Sequence, residues 1–414
     1  MKHQDRLDRA IRAFRVNDYE VAQTLTLELV NDFPNLPAAY VLLGTIYGRQ
    51  KRYGNAIEAY QEAIRRDPNN WEALNNLAVI FRQTGDADRA LEIARKAVSL
   101  KKDSAEVWYN LGNILKLKEE YDEAIAAYEK AIELNPDLVV AYNNLGTLYE
   151  KTGRYADAVK TFESGLRHDT NQPILNYNIG NTYQAIGQVD QARAHYEAAQ
   201  KTRPGWTDAM NNLGITYERM GRMDLAEKTY RELLELNPED SMGNNNLGTL
   251  MVHMGREDEA RAHLRTALRL NPGYVRAATN LAHIAKEETD LNAVAGVLES
   301  VVDRDLENRE LARIFAEVQS KRGLFDEAKE IYDRLLEKVF SEVAQTLVQQ
   351  GLHSEALSLA EQAVSANPNS ADGLLRKAEI LLTLDKDGEA LKAADEAAER
   401  ETENGQVDAT RASI

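Results

Sequence analysis

Apolar positions along this chain recur at helical spacing. In residues 139–172 they fall at Leu145, Tyr149, Ala158, Phe162 and Gly165, which places one apolar stripe on each of two successive helices. The stripe returns at a fixed interval, and an asparagine marks the interval most clearly. Asn76, Asn110, Asn144, Asn178, Asn212, Asn246 and Asn280 stand 34 residues apart. A fixed period of this length means a solenoid of stacked supersecondary units. Taking each asparagine as position 6 brings the other columns into line. Position 8 is always small: Gly44, Gly112, Gly146, Gly180, Gly214 and Gly248, with alanine elsewhere. Position 20 is alanine from Ala22 to Ala390, with Val294 the exception. Proline closes many units, as at Pro34, Pro68, Pro136 and Pro204, because it cannot continue a helix. Glycine often separates the two helices of a unit, as at Gly85, Gly153 and Gly187, where a helix C-terminus requires φ > 0.

Each unit therefore reads as helix, turn, helix, and stacked neighbours bury a continuous core. Stretches such as "AYNNLGTLYEKTGRYADAVKTFESGL" and "YDEAIAAYEKAIELNP" resemble the tetratricopeptide repeat family. The resemblance covers nearly the whole chain and implies an all-α, right-handed α-solenoid superhelix of about twelve units, about 24 helices. Nine ungapped units are expected over 3–308. A shortened unit, 309–336, lacks the turn before the next, and the irregular stretch 289–340 is expected either to bend or hinge the array or to be absorbed by local packing. Two further units occupy 337–404, the last with a polar capping helix, and 405–414 is expected to fray.

Composition narrows the function classes. The chain of 414 residues has a formal net charge of −17 and no cysteine. Thiolate metal sites and cysteine nucleophiles are excluded. No dense Lys/Arg stripe is visible in the sequence, which argues against nucleic acid and anionic membranes. The N-terminal stretch has no apolar h-region and no apolar run is long enough to span a bilayer, so a cytoplasmic location is expected. No phosphate-binding loop or nucleophile elbow occurs, so no enzyme activity and no cofactor are expected. His253 and His283 fall on successive units but match no metal-binding spacing, so no metal site is expected.

The candidate chemistry lies on the first helix of each unit. Positions 2, 5, 6, 9, 12 and 13 share a face there, away from the packing positions. Position 5 reads Asn75, Tyr109, Asn143, Tyr177, Asn211, Asn245 and Thr279, and position 9 reads Val79, Asn113, Thr147, Asn181, Ile215, Thr249 and His283. Asparagine is a mediocre helix former, yet position 6 keeps it while positions 5 and 9 diverge. A carboxamide offers two donors and an acceptor, enough to bond a peptide backbone whatever its side chains. The alternative role is to bond neighbouring helices and fix the array, and the two roles are compatible. The row resembles the asparagine ladder of the tetratricopeptide superhelix in O-linked N-acetylglucosamine transferases. That resemblance implies an extended peptide ligand held in the concave groove. The expected site comprises the seven position-6 asparagines with Asn143, Asn211, Asn245, Tyr109, Tyr177, Asn113 and Asn181.

Two other roles stay open: a regulatory or substrate-recruiting subunit of a separate enzyme such as a glycosyltransferase, and, more distantly, a co-chaperone that binds chaperone tails. The clamp of such co-chaperones uses a lysine at position 5, which is missing here. Arg276, Arg313, Lys338 and Arg376 are scattered basic residues that do not assemble it. Among the clustered methionines, Met210 and Met251 sit at packing positions, and Met242 is the one expected on the groove.

Overall fold

The computed structural model describes residues 3–302 and 309–400. The chain divides into two compact units, Met1–Gly221 and Arg222–Ile414, each described by itself. The described residues form helices joined by turns.

The first unit holds α1 (His3–Arg15), α2 (Tyr19–Asp32), α3 (Pro37–Arg49), α4 (Tyr53–Arg66), α5 (Trp71–Gln83), α6 (Ala87–Leu100) and α7 (Ala105–Leu117). It continues with α8 (Tyr121–Leu134), α9 (Val139–Lys151), α10 (Tyr155–His168), α11 (Pro173–Ala185), α12 (Val189–Thr202) and α13 (Thr207–Arg219). Odd helices are the first helices of the repeats and even ones the second. Each packs on its sequence neighbours, and first helices of successive repeats also touch, as α5 does with α7.

Two columns explain the close approach within a repeat. The position-20 alanines Ala22, Ala56, Ala90, Ala124, Ala158 and Ala192 are fully buried. The position-8 glycines face the ring at position 24. A Cβ on Gly112 would stand 2.7 Å from the Tyr128 ring, and one on Gly180 would stand 2.6 Å from Tyr196. That is inside any allowed contact, so only glycine lets the first helix rest on the aromatic ring.

The turn column is conformational rather than compositional. Position 15 takes a left-handed backbone at Gly85 and Gly153, and equally at Asn17, Lys51 and Glu119, with φ near 60°. The turn geometry is imposed by packing, and lysine and glutamate accept strain there that glycine avoids.

The second unit holds α14 (Met223–Leu236), α15 (Ser241–His253), α16 (Glu257–Leu270), α17 (Val275–Ile284), α18 (Glu288–Val302) and α19 (Arg309–Lys321). It ends with α20 (Phe325–Gln349), α21 (His353–Ala366), α22 (Ala371–Thr383) and α23 (Asp387–Arg400). Here the regular pattern is broken twice. Helix α17 has 10 residues where α15 has 13, and the turn after it carries no glycine. The side chain of Asp290, in the first turn of α18, is buried and paired with Arg265 of α16. Second, α20 runs for 25 residues without a break across the 336/337 repeat boundary. The missing turn fuses the second helix of the short repeat to the first helix of the next. Buried Glu337, in mid-α20, accepts hydrogen bonds from the Gly373 amide at 3.1 Å and Asn367 Nδ2 at 2.7 Å, capping α22. The expected twelve pairs are thus 23 helices among the described residues, one fewer because of the fusion. The expected fray at 405–414 lies outside the described residues.

Met210 and Met251 are buried and Met242 is about half exposed, as their positions predicted.

Candidate functional site: the carboxamide rows on the first helices

The position-6 asparagines lie on the first helices, and the side chains of Asn110, Asn144, Asn178, Asn212 and Asn280 bond one repeat to the one before. Asn144 on α9 donates through Nδ2 to Asn113 Oδ1 at 2.8 Å and to the Tyr109 hydroxyl at 3.1 Å, both on α7. Asn212 on α13 repeats the arrangement with Asn181 at 2.9 Å and Tyr177 at 3.2 Å on α11. In the second unit Asn280 donates to Asn245 Oδ1 at 3.1 Å and Thr249 Oγ1 at 2.7 Å. Asn110 and Asn178 make the single version, to Asn75 Oδ1 at 2.9 Å and Asn143 Oδ1 at 2.8 Å. Donor and acceptor are always about one repeat apart, because adjacent first helices stand side by side at the distance two short polar side chains can bridge.

The second helix joins the same network. The buried Tyr128 hydroxyl donates to Asn113 Oδ1 at 2.9 Å, and that of Tyr196 donates to Asn181 Oδ1 at 2.7 Å. Burial pushes both phenols well above the usual tyrosine range. One carboxamide oxygen therefore receives a hydroxyl from its own repeat and an amide from the next. A buried polar network closed in this way specifies one packing of three helices.

The structure revises the sequence expectation in two respects. First, Asn75, Asn211, Asn245 and Asn246 are buried, although positions 5 and 6 were expected on an open face. Position 5 is buried at Asn75, Asn211 and Asn245 but only half-buried at Asn143. The remaining members, Asn76, Asn110, Asn144, Asn178, Asn212, Asn280, Asn143, Asn113, Asn181, Tyr109 and Tyr177, are half-buried. Second, both Nδ2 hydrogens of Asn144, Asn212 and Asn280 are spent within the protein. What Asn110, Asn178 and Asn212 keep is the side-chain oxygen Oδ1, which accepts no hydrogen bond among the described residues; the backbone carbonyls of Asn178 and Asn212 accept from Thr182 and Thr216.

The network also exposes a double period that a column-by-column reading missed. Tyr109, Asn113 and Tyr128 return as Tyr177, Asn181 and Tyr196, 68 residues on, and Asn176–His195 returns as Asn244–His263. The intervening repeats carry Asn at position 5 and Val79 or Thr147 at position 9. Comparing alternate units in sequence would have found it.

A second feature of the same wall went unread. Arg82 of α5, Lys116 of α7 and Lys151 of α9 line one cavity of about 540 Å³ with Asn113 and Thr147. They occupy positions 12 and 13, so their spacing hides them from any search for a basic run. Burial, with Arg82 and Lys151 alongside, holds the Lys116 ammonium below the usual lysine range. The four basic residues considered for a chaperone-type clamp fare differently. Lys338 and Arg376 line a common cavity, Arg313 is taken up by Glu310 and Glu317, and Arg276 is exposed. His253 and His283 are exposed, and no group of three or more metal-ligating side chains gathers among the described residues. No helix among them is long and apolar enough to cross a membrane.

Stacked antiparallel helix pairs on a 34-residue period define an all-α solenoid. Comparison with known proteins makes the class specific. The family model for the C-terminal domain of cilia and flagella-associated protein 70 matches residues 20–209, and tetratricopeptide repeat models match 207–272 and 342–405. The chain belongs to the tetratricopeptide repeat family, whose repeats build protein-interaction scaffolds. Among curated proteins none matches. Among solved structures, the C-terminal part of a repeat protein from Cytophaga hutchinsonii is similar, with a TM-score of 0.50 and 18% identity over 58% of this chain and 98% of that one. MamA is 29% identical over 39% of this chain and 94% of its own, with a TM-score of 0.37. YrrB, described as a repeat protein with an unusual peptide-binding site, is 24% identical over 45% of this chain and 96% of its own, with a TM-score of 0.39.

Proposed function

We propose that the chain is a non-catalytic scaffold that binds an extended segment of a partner protein along the wall of first helices. One observation carries the reading. In Asn110, Asn178 and Asn212 the amide is committed to the preceding repeat, which fixes the carboxamide plane and leaves its oxygen as an acceptor at the same place in these three repeats, whereas the Asn144 oxygen between them receives Asn143 Nδ2. An extended chain presents a backbone N–H at regular intervals. A row of fixed acceptors suits it regardless of side-chain sequence, each bond adding about 0.5–1.5 kcal/mol. Half-exposed Tyr109 and Tyr177, in alternate repeats, supply the contacts that discriminate between side chains.

Peptides selected by display against the full chain test this reading. Hydrogen exchange should show protection of α7, α9, α11 and α13 on binding. The Asn110→Ala, Asn178→Ala, Asn212→Ala triple variant should lose at least tenfold in affinity while melting as one folded species. Undiminished affinity in that folded variant removes the acceptor row from the account. If the selected segment instead comes from an enzyme that copurifies stoichiometrically, the scaffold acts as its recruiting subunit.

A further inference from the structure

The cavity at Arg82, Lys116 and Lys151 stands out because the protein around it is strongly acidic. The net charge of −17 means that most cations here have carboxylates at hand, as in the Arg95–Glu123 and Arg154–Asp157 pairs. The three cations of this cavity are differently placed. No ion pair of Arg82 or Lys116 occurs among the described residues. Lys151 has one distant contact, 3.7 Å to the largely exposed Glu119, and otherwise lies 4.8 Å from the Tyr121 ring centroid. Glu150, the neighbouring carboxylate on α9, is turned to Thr182 of the next repeat and is absent from the lining. Three cations thus converge from three consecutive first helices against one carboxylate in the lining, Glu119, with Asn113 and Thr147 supplying neutral polar groups beside them.

Such an arrangement costs folding free energy and returns it only when an anion enters. The cavity opens beside Asn113 and Thr147, the position-9 residues one turn from the carboxamide row. A peptide lying on that row passes its side chains over the cavity mouth. We infer that this cavity is a subsite for an anionic side chain, carboxylate or phosphate, of an extended peptide segment bound along the first helices. The inference rests on the peptide-groove reading above. It adds a preference that the acceptor row alone cannot supply, and it fixes where on the array an acidic residue of the partner sits. Arginine and lysine differ here in role. The Arg82 guanidinium offers a planar, bidentate face to an oxyanion, whereas Lys116 and Lys151 act as point charges.

The test uses three fluorescein-labelled eleven-residue probes on one Gly/Ser/Ala background. They carry three glutamates, three phosphoserines or three glutamines at the same alternate positions. Anisotropy titrations with the full chain at about 50 mM salt should rank either anionic probe at least tenfold tighter than the glutamine probe. The gap should shrink steeply by about 300 mM salt, because the interaction is screened. The Arg82→Gln, Lys116→Gln, Lys151→Gln variant should bind all three probes like wild type binds the glutamine one. The Lys116 side-chain nitrogen resonance should move toward the ordinary lysine titration range when the anionic probe binds. Which anionic probe is the tighter identifies the source, an acidic or a phosphorylated segment. Equal affinity for anionic and glutamine probes, with the glutamine probe bound, overturns the subsite and leaves the groove intact. Binding of the anionic probes undiminished by the triple variant overturns it as well. Failure of all three probes, together with failure to select any groove peptide by display, overturns the groove reading and this subsite with it.

Discussion

Asn144 Nδ2 lies 2.8 Å from Asn113 Oδ1, and that contact ties two repeats together through a group that also receives the buried Tyr128 hydroxyl. Asn113 and Tyr128 form a matched pair in this repeat, although Ile215 shares its repeat with the buried Tyr230. Where position 9 is Val79, position 24 of the same repeat is Ala94 and no hydroxyl needs a partner. Replacing Asn113 with valine alone should cost roughly 2–3 kcal/mol, since it strands a buried hydroxyl and an amide. Combining Asn113→Val with Tyr128→Phe should cost clearly less than the sum of the two single changes. Urea denaturation of the four-member cycle measures the coupling, and strict additivity would show that the bonds do not act as one network.

Gly112 sets the depth to which α7 settles on α8. Gly112→Ala should destabilise by about 1–3 kcal/mol through overpacking against Tyr128. The double variant with Tyr128→Leu should recover part of that loss, because the flexible side chain can move aside. Thermal melts of both variants check this.

The left-handed turn residues offer a stabilising change. Lys51→Gly removes the strain of a side chain at φ 59° and should raise stability by about 0.5–1 kcal/mol. A lower melting temperature would mean that the lysine side chain earns its place by contacts.

The two histidines of the double period make stability depend on pH. Burial lowers the His195 pKa, and His263 is lowered by burial and then by Arg231. A histidine depressed in the fold is protonated first in the unfolded chain. Its stabilising contribution is therefore complete above the unfolded value of about 6.5 and is lost as pH falls through the lower folded value. Melting temperature should fall between about pH 7 and pH 5, and less steeply in His195→Gln, whose amide still reaches Asn176. An unchanged slope in that variant would assign the acid sensitivity elsewhere.

Much of the fold was legible because the repeat writes its packing into single letters. Alanine at position 20 and small residues at position 8 mark close helix crossings wherever they occur, and the six residues missing before 337 marked the lost turn. The consequence of that loss, a continuous α20, follows once no glycine or proline interrupts 325–349. The candidate site was legible only by row. Helical spacing placed the asparagines on one face, but whether that face is open depends on how near the next first helix stands, and sequence carries no such distance. The same limit hid the Arg82, Lys116 and Lys151 cavity, whose members are 34 and 35 positions apart and meet only after stacking.

The proposal turns on a partner's backbone N–H groups being received by the side-chain oxygens of Asn110, Asn178 and Asn212. A backbone N-methylation scan of a display-selected peptide tests it most directly, since each methyl removes one donor and leaves the side chains unchanged. The account predicts at least tenfold weaker binding at a few spaced positions and little effect between them, with the spaced losses absent in the Asn110→Ala, Asn178→Ala, Asn212→Ala variant. A peptide that tolerates N-methylation at every position while keeping its affinity would contradict it.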